Sequence, residues 1–261
     1  MKTILASLLL AASGLMTMPS ASAGSITDNY IGGDSHGLGD VIGGSTYNIS
    51  GATITRAAAT LTITIATSFA GHAGMDSNLV VGGIGYGDLF LSQFWNPAGT
   101  AANQYINDTS SNGTKWSYGF ALDNRFSNTG GSFKLMKLTG TTNGADILDS
   151  NEVIKCTAAA PNCVYRNGQE TMVDKTSTTA LNTGLSGSWS VLKDQSITFV
   201  LDVSSSDLLN FSSFAMHWGE TCQNDVIEGV VRMVPTPGTL PLLGLGLLAM
   251  VGMARRKKML G

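Results

Sequence analysis

Short runs in which apolar and polar residues alternate decide what this chain can fold into. In Thr60-Leu61-Thr62-Ile63-Thr64-Ile65 every second residue is apolar and the others are threonines. A period of two places one set of side chains on a buried face of a strand and the other on a wet face. The pattern returns in Trp116, Tyr118, Phe120 and Leu122, in Ile197, Phe199, Leu201 and Val203, and in Phe214, Met216 and Trp218. Segments 53–56, 88–94, 133–138, 188–192 and 227–233 bring the set to about nine strands. Turn clusters such as Asn128-Thr129-Gly130-Gly131 separate them. Apart from room for one short turn in 145–154, nothing between residues 24 and 234 carries a helical stripe. The expected fold is all-β, an antiparallel β-sandwich of jelly-roll type. The 32 glycines and a charged fraction of only 13% suit a turn-rich β protein better than a helical bundle. A formal charge of −3 without a basic patch excludes a nucleic-acid partner.

The two ends of the chain differ from this middle. Lys2 precedes an apolar run from Ile4 to Leu15, and Pro19-Ser20-Ala21-Ser22-Ala23 follows. Small residues at Ala21 and Ala23 are those a signal peptidase reads, so residues 1–23 are expected to be a secretory signal peptide cut after Ala23. About 12 apolar residues reach only ~18 Å as a helix, too short for the ~30 Å membrane core. The C-terminal end, residues 235–261, has three parts. Pro235-Thr236-Pro237 holds the chain extended, Leu240 to Ala254 is apolar, and Arg255-Arg256-Lys257-Lys258 follows. The basic cluster is expected on the cytoplasmic side, with residues 24–234 outside the inner membrane. Stripped of both ends, the chain carries 10 basic and 18 acidic residues, so the exported domain is distinctly acidic.

This tripartite tail resembles a PEP-CTERM sorting signal, which exosortases of Gram-negative bacteria recognise. The family motif is Pro-Glu-Pro; here threonine, Thr236, stands at the glutamate position. Three further blocks resemble those of secreted PEP-CTERM surface proteins. They are 28–43, then Gly87-Asp88-Leu89-Phe90-Leu91-Ser92 with Trp95-Asn96-Pro97, then His217-Trp218-Gly219 with 222–229. The resemblance implies export and an inner-membrane intermediate. Exosortase cleavage would follow, with display on the cell surface or in an extracellular matrix. A plain single-pass anchor is the alternative. The resemblance supplies no catalytic residues.

Three cysteines lie in the domain. Cys156 and Cys163 flank Thr-Ala-Ala-Ala-Pro-Asn, which reads as a small disulfide loop in an oxidising compartment. Cys222 is left over, either buried, paired between chains, or paired with one of the other two. Without Cys-x-x-Cys, and in a compartment that favours disulfides, zinc is not expected.

Candidate sites are sparse. Asp28, Asp34 and Asp40 are six residues apart in a glycine-rich stretch, a weak calcium-binding pattern without the EF-hand spacing. His36, His72 and His217 lack ligand spacing and read as surface or turn residues. Asp225 and Glu228 are a possible carboxylate pair for glycoside hydrolysis, but read better as turn residues contacting backbone N–H groups. No Gly-x-Ser-x-Gly elbow occurs. Of the four tryptophans, Trp116 and Trp218 fall on apolar strand faces. Trp95, beside Asn96-Pro97, falls in a loop and is the best platform for stacking on a sugar. The expectation is a non-enzymatic exported protein with a structural or adhesive role in an exopolysaccharide matrix. The alternative is a carbohydrate- or calcium-binding module; a secreted hydrolase ranks third.

Overall fold

The computed structural model describes residues 21–33 and 44–233. Pro235, Thr236, Pro237, Arg255 and Arg256 lie outside the described residues, as do Asp34, Asp40 and residues 1–20 of the expected signal peptide. The strands in chain order are β1 (Ala21–Thr27), β2 (Ile49–Ala57), β3 (Thr60–Thr67), β4 (Leu89–Ser92), β5 (Tyr118–Leu122) and β6 (Gly130–Leu138). They continue as β7 (Ile147–Asp149), β8 (Glu170–Val173), β9 (Ala180–Leu192), β10 (Ser196–Asp202), β11 (Ser213–Gly219) and β12 (Val226–Arg232). One turn of helix, α1 (Ser150–Val153), follows β7, and the Asp149 carboxylate caps it by accepting from the Asn151 and Glu152 N–H groups. All nine strands read from alternation are present, and α1 falls within the stretch 145–154.

The fold is antiparallel and all-β, but its strands do not divide into the two hydrogen-bonded sheets of a sandwich. Ten of them form one sheet in the order β1-β2-β3-β10-β9-β6-β5-β4-β11-β12. This sheet curls until its first and last strands face each other. A Cβ at Gly24 of β1 would lie 2.7 Å from Val231 Cβ of β12, and one at Gly229 would lie 2.8 Å from Ile26 Cγ2. The seam is therefore packed by side chains and not bridged by a ladder. Near-closure is one way a large twisted sheet removes its exposed edges. β7 and β8 form a separate two-stranded sheet.

The interior follows the alternation. In β3 and β10 Leu61, Ile63, Ile65, Ile197, Phe199 and Leu201 are buried while the intervening residues are partly exposed. Phe133 stacks on Phe120 and meets Phe199 edge-on inside the curl. In β4, β5 and β11 the expectation of one wet face fails. Ala215 and His217 of β11 are as buried as Phe214 and Met216. The cause is the small sheet, which covers the outer face there and builds a second apolar cluster from Phe90, Trp116, Ala121, Ile147, Val173 and Ala215. Gly119 of β5 makes that cover possible, since a Cβ there would stand 2.4 Å from Val173 Cγ2.

Ala21 and Ala23 fall within β1, which pairs with β2 from Ala21 opposite Ala57 to Thr27 opposite Gly51. A cut after Ala23 leaves Gly24 to Thr27 in this pairing. Cys156 and Cys163 form a disulfide in the connection from α1 to β8, and Cys222 is a buried free thiol. No helix among the described residues is long and apolar enough to cross a membrane.

Candidate functional site

The seam opens at one point into a cleft of about 550 Å3. Ser25, Ile26 and Thr27 of β1 form one wall, and Glu228, Gly229 and Val230 of β12 form the opposite one. The loop between β4 and β5 supplies Trp95, Gln104 and Tyr105, and the segment after β1 supplies Asn29 and Tyr30. The three rings touch in sequence. Tyr30 stacks on Tyr105 at 5.9 Å, and Tyr105 meets Trp95 edge-on at 5.0 Å. Rings with amide groups and a carboxyl form a concave surface of a size suited to a small ligand or a short chain segment.

The loop is held by Asp108. Its Oδ2 accepts from the Tyr30 hydroxyl at 2.9 Å, and its Oδ1 accepts from the Ala98 N–H at 2.8 Å. Its backbone carbonyl accepts from the Gly33 N–H and from Gln169 Nε2. Burial raises the Asp108 carboxyl above the ordinary range, partly offset by the Ala98 and Tyr30 hydrogen bonds. Burial likewise drives the Tyr30 hydroxyl well above its usual value, so it stays a donor.

Beneath the cleft lies a buried polar cluster. His217 of β11 and Glu228 of β12 are directly opposite in register. Glu170, the first residue of β8, comes to the same place from the small sheet. All three side chains are buried, and one ligating atom from each lies within 4.8 Å of the other two. Glu228 links cluster to cleft. Its Oε1 accepts from Trp95 Nε1 at 2.7 Å and from Thr114 Oγ1 at 3.4 Å, and its Oε2 lies 2.9 Å from His217 Nδ1. Oε1 of Glu170 accepts from Trp116 Nε1 at 3.0 Å and from Asn143 Nδ2 at 2.9 Å.

The histidine tautomer follows from its partners. Nε2 lies 2.8 Å from the Glu170 backbone carbonyl, which can only accept, so Nε2 carries a hydrogen. Nδ1 then meets the Glu228 carboxyl with one proton between them. Burial pushes the imidazole down, against the pull of Glu170, and pushes the Glu228 carboxyl well up, reinforced by Asp108. Both directions move the shared proton toward Glu228. Burial also raises Glu170, to about 7. The cluster thus holds two carboxyls that resist ionisation and a neutral imidazole.

The residues singled out from sequence fare unequally. Trp95 is in a loop and half-buried at the cleft. Trp116 and Trp218 are fully buried, and Trp189 nearly so. His217, read as a surface or turn residue, is instead a fully buried strand residue, because the small sheet covers its face. His72 does lie near the surface, 2.5 Å from Asp194. Asp225 and Glu228 do not form a pair. Asp225 receives the N–H groups of Ile49 and Val226, while Glu228 turns into the cluster. Asp28 is half-buried after β1, and its two partners in the proposed calcium pattern lie outside the described residues. Glu170, Tyr105 and Asp108 were not singled out and sit in no motif; Tyr30 falls in the block 28–43 but was given no role. Comparison with protein-family profiles, curated proteins and solved structures finds no match to this chain.

Proposed function

We propose that this chain is an exported surface protein of a Gram-negative bacterium, sorted and cleaved by an exosortase, whose domain adheres to polysaccharide of the extracellular matrix through the seam cleft. The observation that carries the binding reading is Trp95, fixed at the cleft by its indole N–H on Glu228 and braced by Tyr105 and Tyr30. A sugar presents a C–H face to an aromatic ring and hydroxyls to amides and carboxyls. Asn29, Gln104 and Glu228 supply those groups in the cleft. The reading is binding without turnover: among the described residues that line the cleft Glu228 is the one carboxyl, and the second acid near it, Glu170, lies beneath the cleft and is not among those lining residues. The sorting part rests on the tripartite tail and the signal-peptide pattern in the sequence.

A glycan array probed with the full-length chain tests the binding reading. Retention on a matrix polysaccharide, lost in Trp95→Ala, is expected; no retention on any glycan overturns it. Intact-mass measurement of surface-released material tests the sorting reading. A product still carrying residues 240–258 rules out exosortase-type cleavage.

A further inference from the structure

We propose that Glu170, His217 and Glu228 form a binding site for one divalent transition-metal ion of the zinc class. The geometry supplies three different side chains from three strands, β8, β11 and β12, aimed at one buried point. His217 Nδ1 and Glu228 Oε2 stand 2.9 Å apart, so an ion that replaced the proton between them would need them to part by only about 0.5 Å, to the ~3.4 Å between two tetrahedral ligands at ~2.0–2.2 Å. Glu170 completes the set within 4.8 Å.

Two features point to a metal beyond the clustering itself. The first is the imidazole. A histidine that ligates a metal through one nitrogen usually donates its other N–H to a carbonyl or carboxylate, which fixes the tautomer and the ring. His217 does this through Nε2 and the Glu170 carbonyl, leaving Nδ1 directed at the carboxyl of Glu228. The second is the outer shell. Trp95 and Thr114 orient Glu228, and Trp116 and Asn143 orient Glu170, each through one oxygen of the carboxyl. Four neutral donors hold the two carboxyls in place without neutralising them. Two buried carboxylates are costly on their own, and a divalent ion that displaced the protons they hold would balance them. A divalent ion with a neutral histidine and two carboxylates makes the centre neutral overall.

The nitrogen ligand sets the class of ion. Calcium and magnesium prefer all-oxygen shells, whereas imidazole with carboxylates suits zinc and its first-row neighbours. The ion would also tie the small sheet to the seam, because Glu170 belongs to one and Glu228 to the other. Glycan binding is a separate matter. A loaded centre with no glycan bound, or the reverse, removes one reading and leaves the other.

The test uses the full-length chain, stripped with EDTA and dialysed, then titrated with zinc, cobalt(II) or calcium. One equivalent of zinc is expected to bind and to raise the melting temperature by about 5–10 °C at 100-fold excess over its Kd. Cobalt is expected to give visible d–d absorption. Glu170→Gln and Glu228→Gln keep the size of the originals and the one oxygen, Oε1, that accepts from the orienting donors, so both should fold and lose both responses. His72→Asn, which removes a partly exposed histidine beside Asp194, should leave both intact. Should the glutamine variants not fold, the wild-type cobalt spectrum and stoichiometry decide. Absence of a shift and of absorption in the wild type overturns the site, as does a response to calcium alone. Zinc binding unchanged in both glutamine variants overturns it as well.

Discussion

His217 and Glu228 face each other across the β11–β12 ladder with Nδ1 2.9 Å from Oε2, and the glutamate's other oxygen reaches Trp95 at the cleft. A buried strand residue and a cleft residue are thus joined through one carboxyl. The pair shares a single proton, so an amide can replace the carboxyl with little loss. In Glu228→Gln the amide N–H can donate to Nδ1 while Oε1 still accepts from Trp95. In metal-free protein this variant is expected to lose less than about 1 kcal/mol, whereas His217→Ala should lose about 2–4 kcal/mol through a stranded polar group and a cavity. Urea denaturation of the three proteins checks the contrast.

Asp108 gives a pH signature. Its burial raises the folded-state pKa above the ordinary carboxyl value of 3.8. The unfolded chain therefore releases this proton at lower pH than the folded chain. Stability from this group is full below that value and falls as pH rises through the raised pKa. Asp108→Asn keeps an acceptor for the Ala98 N–H and removes the titration. Its melting temperature should decline less than that of the wild type between about pH 4 and 7. Identical slopes would refute the assignment.

Gly119 permits the small sheet to seat. Gly119→Ala should cost about 1–3 kcal/mol by forcing Val173 away from β5. Val173→Ala in the same chain should recover part of that loss, because the clash is with a Val173 methyl. A double-mutant cycle in denaturant measures the coupling.

The cysteines divide into a bond and a hidden thiol. Cys156→Ala with Cys163→Ala should lower stability by about 2–3 kcal/mol, the chain-entropy value for a loop of this size. Cys222 should resist a thiol reagent in the native chain and react after unfolding, since it is buried and burial drives its thiol well up. Rapid native labelling would contradict the fold around β11 and β12.

The strands that were legible in the sequence are those long enough to alternate, such as Thr60–Thr67 and Ser196–Asp202. β7 has three residues and β8 four, too few to show a period, and neither carries the apolar run that marks the equally short β4, so the small sheet was invisible. Its absence from the reading is also why the His217 face looked wet. β1 lay hidden for another reason, since the small residues Ala21 to Gly24 match a peptidase site as well as a tightly packed strand. The joining of ten strands in one sheet depends on pairings such as β3 with β10 and β4 with β11, which no local pattern encodes. In the site, Trp95 was legible because a tryptophan beside Asn-Pro marks a loop. Reading 220–225 as a hairpin turn would have set His217 opposite Glu228. Nothing local would have brought Glu170 to them.

The packed seam has a consequence in time. Gly24 rests on Val231 and Ile26 on Gly229, so the first strand, though laddered to β2, gains its outer packing only when the last has been made. Pairings this distant are slow to form, because a long stretch of chain must be brought together before any of them gains. A chain truncated before residue 226 would leave β11 as an open edge and the seam without β12. Such a product is a candidate for aggregation and not for partial function.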